Sequence, residues 1–323
     1  MLAIKPFIGQ HCETTTSGTL LYQQGIELSE PLLFGLGEGL SFIFWHMNSM
    51  PMPFIGGRVK PDQLTETLAK QLNLKLERQE TSSSTKAWAI VKDLLDQGQV
   101  VGLKLDCFYL EYFSNPIHFA GHYVAIYGYD HDHAYLVDTH QQGSIVQTSL
   151  ASLAQARAAK GSMASKSMAY TLKPQGSYDL AQAVRQAIIN NAQAYLNPPI
   201  TNVNYKGIRK ASAALQPWFE ASANIEYDFC TTALLMERAG TGGSLFRKLY
   251  RDFLAEASTI IAAPQLRQAE PTFTTISENW QEVANLLDQA GKQHDLGAIQ
   301  KASRLMNQIA EQEYTAMHLL ATL

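Results

Sequence analysis

The chain is poor in the features that mark secreted, membrane or nucleic-acid-binding proteins. It has three cysteines in 323 residues, Cys12, Cys107 and Cys230. An odd number without paired spacing argues against a disulfide framework and fits free thiols in a reducing compartment. The longest apolar stretch, residues 32–50, is interrupted by Gly35, Gly37, Glu38, Gly39, Ser41 and His46, so no membrane span is expected. The opening Met1-Leu2-Ala3-Ile4-Lys5-Pro6 lacks the basic start and apolar core of a signal peptide, and a cytoplasmic location is expected. Charged residues make up 17% of the chain and the net charge is −4, which gives no sign of a nucleic-acid partner. At 46% hydrophobic, the composition is that of a globular protein.

The pattern along the chain divides it in two. Residues 1–175 mix helix and strand. Residues 60–74 and 85–97 carry helical periodicity, through Leu64, Leu68 and Leu72 and through Ala87, Ile90, Val91, Leu94 and Leu95. Val100–Leu105, the two runs beginning at His122 and Ala134, residues 144–148 and residues 167–172 read as strands of an antiparallel series, with a helix over 149–159. The breaker Lys173-Pro174-Gln175-Gly176-Ser177 follows, and the pattern after it is amphipathic helix over 180–195, 208–221, 225–238, 244–261, 274–290 and 296–323. The expectation is an α+β fold in two domains, 1–175 with an antiparallel sheet and 176–323 all-α.

The chemistry centres on Cys12, within Gly9-Gln10-His11-Cys12-Glu13-Thr14-Thr15-Thr16. Taken alone it reads more readily as a small buried hydrophobe; the flanking polar residues and the hairpin described next reverse that. Asp130-His131-Asp132-His133 is the turn of a hairpin that brings His122, at the start of one strand, back toward Asp138, at the end of the other. A cysteine, a histidine and a carboxylate to orient it are the components of a thiolate nucleophile. A helix over 14–21 would add its N-terminal amides and dipole in support of a thiolate or an oxyanion. Asp106 and Asp130 are weaker candidates for the carboxylate. His131, His133 and His140 decorate turns, and without a helical His-x3-His spacing or a cysteine pair no metal site is expected. Gly35-Leu36-Gly37-Glu38-Gly39 is not a dinucleotide fingerprint, but it allows close backbone approach and is a candidate cleft lining. In Gly240-Thr241-Gly242-Gly243-Ser244-Leu245-Phe246-Arg247, the amides of Gly242, Gly243 and Ser244 with Arg247 are a candidate anion site. The alternative is one helix ending where Ser244 caps the next.

His11-Cys12, Phe34–Gly39, Gly121-His122-Tyr123-Val124, Gly128-Tyr129-Asp130 and Val137-Asp138, in that order, resemble the N-terminal domain of the butirosin biosynthesis protein H family. Gly240–Arg247, Tyr250 and Phe253-Leu254-Ala255-Glu256-Ala257 resemble the helical domain that often follows it. The resemblance spans nearly the whole chain and implies a papain-like first domain. It implies an acyltransferase of secondary metabolism that moves an acyl or aminoacyl group from an acyl carrier protein or coenzyme A thioester, through a cysteine acyl-enzyme, to an amine. Cys12, His122 and Asp138 would carry the reaction, with the Cys12 amide and Gln10 as oxyanion candidates and Gly35, Gly37 and Glu38 along the cleft. Gly242, Gly243, Ser244 and Arg247 would receive the phosphate of a phosphopantetheine-linked donor. No permanently bound cofactor is implied. The same residues would also serve a cysteine peptidase or amidase, and the fold alone would serve a non-catalytic ligand- or carrier-binding module.

Overall fold

The computed structural model describes residues 2–47 and 50–323. Met1 and two positions of the 32–50 stretch discussed above lie outside the described residues. Two helices open the chain, α1 (Cys12–Tyr22) and α2 (Glu30–Leu36), followed by a hairpin of β1 (Leu40–Trp45) and β2 (Phe54–Arg58). Next come α3 (Gln63–Gln71), β3 (Leu74–Gln79), α4 (Ser84–Asp96), β4 (Val101–Leu105), β5 (His122–Tyr129), β6 (His133–Val137), β7 (Ile145–Ser149), α5 (Leu150–Ala158) and β8 (Ala169–Pro174). The rest is helical: α6 (Leu180–Leu196), α7 (Asn204–Ala221), α8 (Ile225–Arg238), α9 (Arg247–Ile260), α10 (Pro264–Gln293) and α11 (Leu296–Leu320). The fold is α+β, as the sequence pattern indicates. By their contacts the residues form two units, one of the chain up to Leu33 with Lys60–Tyr178, the other of Phe34–Val59 with Asp179–Leu323.

The first unit is built on an antiparallel sheet of order β3-β8-β4-β5-β6-β7. One face is apolar because alternate residues of the central strands point the same way. Val101, Leu103, Val124, Ile126, Ala134 and Leu136 meet Val91 and Leu95 of α4 and Leu153 and Ala156 of α5. Helix α1 packs against β5 and is buried from Cys12 through Leu21. Its composition is unusual for a buried helix, since Thr14, Thr15, Thr16 and Thr19 are β-branched and polar. Several of these groups are satisfied locally. Thr19 Oγ1 donates to the Thr15 carbonyl at 2.8 Å, Thr14 Oγ1 lies 3.0 Å from the His11 carbonyl, and Ser17 Oγ lies 3.2 Å from Thr65 Oγ1. Glu13 Oε1 accepts from the Thr65 amide at 3.1 Å and its hydroxyl at 2.9 Å, occupying a donor in the first turn of α3 that has no intrahelical partner. Packing, rather than propensity, makes this segment helical.

The second unit joins the β1–β2 hairpin to helices α6–α11. Among the described residues no strand follows Pro174, in line with the change of pattern there. The expected helix over 244–261 is corrected at its start. Gly242, Gly243, Ser244, Leu245 and Phe246 all have positive φ (66°, 87°, 52°, 48° and 72°), forming a left-handed turn, and α9 begins only at Arg247. Glycine takes this conformation freely, but the three residues after it must be held there by their surroundings. Ser244 Oγ donates to the Ser277 carbonyl at 2.7 Å, and the Leu245 carbonyl accepts from Arg247 Nη1 at 2.8 Å. Among the described residues, no helix is long and apolar enough to cross a membrane.

Candidate functional site

Cys12 is the first residue of α1. The chain arrives extended through His11 (φ −98°, ψ 131°) and turns into the helix at the cysteine, which places the thiol at the helix's positive end. The arriving loop is fastened on two sides. The Gly9 carbonyl accepts from the His140 amide at 2.8 Å. Glu30, at the start of α2, accepts from the amides of Gln10 at 2.9 Å and His11 at 2.8 Å, and from Thr14 Oγ1 at 2.8 Å.

The β5–β6 register sets the other two members. Ala125 pairs with Val137, so Asp138 leaves the ladder diagonally across from His122. His122 Nε2 lies 2.8 Å from Asp138 Oδ2. Nε2 faces Asp138, which leaves Nδ1 as the other ring nitrogen, and Cys12 interacts electrostatically with the same imidazole. All three side chains are secluded: Cys12 and His122 are each 7% exposed and Asp138 is fully buried. Burial pushes the His122 imidazole down, but Asp138 and then Cys12 outweigh it and hold His122 well above its usual range. The structure therefore brings Cys12, His122 and Asp138 together in the expected order.

The other carboxylates have different partners. Asp106 Oδ2 lies 3.0 Å from His118 Nδ1, and Asp130 accepts from the amides of Asp132 and His133 in the hairpin turn. His131 and His140 lie exposed at the surface and His133 is half-buried. Among the described residues, no cluster of three or more histidines, cysteines and carboxylates could hold a metal.

Three neighbouring side chains were not visible in the sequence. Tyr112 donates its hydroxyl to Asp138 Oδ2 at 2.8 Å, so this oxygen serves both the tyrosine and His122. The amide of Thr139 donates to the other oxygen at 2.6 Å. The Phe113 ring meets the His122 ring edge-on, with centroids 5.4 Å apart, and shields it from water. Glu30 is the third. Tyr112 and Phe113 lie in an irregular aromatic segment without periodicity. Glu30 had one signal, a proline directly after it, the residue expected in the first turn of a helix.

The remaining candidates have other roles. The Gln10 side chain is exposed, and its amide is committed to Glu30. Gly35 lies in the second unit, where a Cβ would fall 2.2 Å from the Phe253 ring, so glycine is required for packing of α2 on α9. Gly37 is buried in the turn after α2, and Glu38 accepts from Asn190 Nδ2 at 2.8 Å. The anion site at Gly242, Gly243, Ser244 and Arg247 is corrected. Arg247 is fully buried, with Nε and Nη2 on the two oxygens of Glu313 at 2.8 and 2.9 Å. Its Nη1 donates to the carbonyls of Ser41, Gly57 and Leu245. The Ser244 amide is held by Glu237 Oε1 at 2.9 Å, and the Gly243 amide by Thr241 Oγ1 at 3.0 Å. A cation already neutralised inside the unit, and amides already bonded within the protein, leave this segment nothing to offer a phosphate.

A secluded thiol at a helix head, facing a strand histidine that an aspartate orients, is the arrangement found in proteins that use cysteine as a nucleophile. Residues 11–139 match the family model described as butirosin biosynthesis protein H, N-terminal, and residues 151–320 match a domain of unknown function (DUF4872). The chain thus combines a domain of the butirosin biosynthesis protein H N-terminal family with a C-terminal helical domain of the DUF4872 family, the latter spanning more than half of it. No curated protein matches it.

Proposed function

We propose that the protein is a biosynthetic enzyme of secondary metabolism, an acyltransferase that carries an acyl or aminoacyl group on Cys12 from a thioester to an amine. The observation that carries this reading is His122 fixed by Asp138 at 2.8 Å through Nε2, with Cys12 at the head of α1 among the groups that raise the same imidazole. The match of residues 11–139 to the butirosin biosynthesis protein H N-terminal family supports the metabolic setting.

In the reaction, the Cys12 thiolate adds to the carbonyl carbon of the donor thioester, and amides at the head of α1 face the developing oxyanion. The donor C–S bond breaks and the His122 imidazolium protonates the departing thiol. The amine then adds to the acyl-cysteine, neutral His122 accepts its proton, and the Cys12 thiolate leaves, giving the amide. Asp138 keeps the imidazole in one tautomer throughout. The donor is a phosphopantetheine thioester on an acyl carrier protein or coenzyme A, and its bond supplies the driving force. Intact-mass measurement after incubation with a panel of acyl thioesters tests the proposal. An acyl adduct on Cys12, absent in Cys12→Ala and discharged to an amide by added amines, is the expected result. An adduct that only water discharges makes the protein a hydrolase, and no adduct with any thioester overturns covalent transfer.

A further inference from the structure

Glu30 grips the loop that delivers Cys12. It accepts from the backbone amides of Gln10 and His11, just ahead of the helix, and from the hydroxyl of Thr14, just beyond the cysteine. Gly9 completes the fit, since a Cβ there would fall 2.9 Å from Glu30 Oε1 and 2.5 Å from Thr15 Oγ1. The Gly9 carbonyl is tied to the His140 amide at 2.8 Å, and Asp138 lies two residues before His140. The loop is therefore clamped between Glu30 and the segment that carries the carboxylate of the site.

A carboxylate is an electrostatically costly choice here. Burial raises the Glu30 pKa, and the hydrogen bonds from His11, Gln10 and Thr14 only partly offset it. A negative charge near a cysteine that must ionise also opposes the thiolate. A neutral side chain would avoid both costs, but an amide oxygen has fewer lone pairs and its NH2 would face donors. Oε1 takes the His11 amide and the Thr14 hydroxyl, and the Gln10 amide lies 2.9 Å from both oxygens, so a glutamine would set its NH2 against the Gln10 amide or turn it toward the other two donors. We infer that Glu30 is a positioning residue: it fixes the Gly9–Cys12 loop so that the thiol leaves the helix head aimed at His122. The inference rests on Cys12 being the nucleophile proposed above.

Glu30→Gln and Thr14→Val test it, with three readouts on the intact chain: thermal melting, iodoacetamide alkylation of Cys12 as a function of pH, and the rate of Cys12 acylation by a small acetyl thioester. Glu30→Gln is expected to slow acylation about tenfold or more, the scale of a misaligned nucleophile. Its alkylation midpoint should stay in place or fall, because a negative charge has been removed. Thr14→Val, which removes one donor and keeps the shape, should slow acylation by about threefold. Loss of rate without a rise in the alkylation midpoint is the mark of misaiming. Acylation at the wild-type rate in both variants would overturn the inference. So would a rise in midpoint that accounts for the whole loss, since Glu30 would then act on ionisation. Should Glu30→Gln fail to fold, Thr14→Val alone decides. A wild-type Cys12 that neither alkylates faster than Cys107 nor acylates would remove the nucleophile itself, which is distinguishable because the variants then have no rate to lose.

Discussion

Cys12, Cys107 and Cys230 stand in three different settings, and their reactivities should separate accordingly. Burial pushes the Cys107 thiol up to about 11, and Cys230 is raised by burial and by Asp288. Both should be protonated near neutral pH and slow to react. Cys12 faces the His122 imidazole. Iodoacetamide with peptide mapping at neutral pH should label Cys12 about tenfold faster than either of the others. Equal labelling of all three would argue for a binding module without a nucleophile. The Asp138 carboxylate makes a second residue-scale prediction, about pH. His122 has a folded pKa raised above its unfolded value of about 6.5. Its contribution to stability is therefore complete below about pH 6.5 and is lost as the pH rises through the folded value. Asp138→Asn removes the main favourable partner, so its cost in stability should be largest in mild acid, about 1.5–3 kcal/mol for a charged hydrogen bond, and should shrink toward alkaline pH. Urea unfolding at a series of pH values measures this, and a cost that grows with pH would contradict it.

At the scale of elements, the hairpin of β5 and β6 was legible because its apolar runs and Asp-His turn are local signals, and with it came His122 and Asp138. The helix of Cys12 was only half legible: it starts two residues before the expected 14–21, and its polar, β-branched run is held by bonds within the helix and by the contact of Ser17 with Thr65 far along the chain. β3 is missing from the sequence pattern: the expected helix over 60–74 takes in Leu74, residues 75–79 carry no assignment, and pairing with β8 makes the segment a strand. α2 was hidden by Gly35 and Gly37, residues that read as loop. Gly35 sits in the helix because nothing larger fits beneath Phe253. Gly35→Ala should therefore cost about 1–3 kcal/mol by overpacking, although alanine is the better helix former. Phe253→Leu in the same chain should recover part of that loss in urea unfolding. Gly35→Ala at wild-type stability would mean that α9 yields easily at this position.

At the scale of the molecule, the sequence shows an Arg247 beside a glycine cluster and suggests a ligand, while the fold gives it an internal partner from far along the chain. Glu313 lies in α11, and its two oxygens also take the Trp280 indole N–H, at 2.8 Å, and the Tyr195 hydroxyl. The buried network thus joins α6, α10 and α11 to the start of α9 and to the carbonyls of Ser41 in β1 and Gly57 in β2. Breaking a buried pair from one side costs about 3–5 kcal/mol, because the remaining charge stays unpaired. The two sides are not equivalent. Arg247→Met strands the Glu313 carboxylate with only Trp280 and Tyr195 as donors and deprives three carbonyls of a partner, among them that of Leu245 in the left-handed turn. Glu313→Gln keeps an acceptor for Trp280 and leaves the guanidinium its three carbonyls. Arg247→Met should therefore be the more damaging in urea unfolding, and neither variant should change the alkylation rate of Cys12 while the chain remains folded. If Glu313→Gln costs as much as Arg247→Met, the charge pair rather than the carbonyl cradle holds the turn. If Arg247→Met leaves stability unchanged but weakens acyl-donor affinity, the anion-site assignment rejected for this segment would have to be restored.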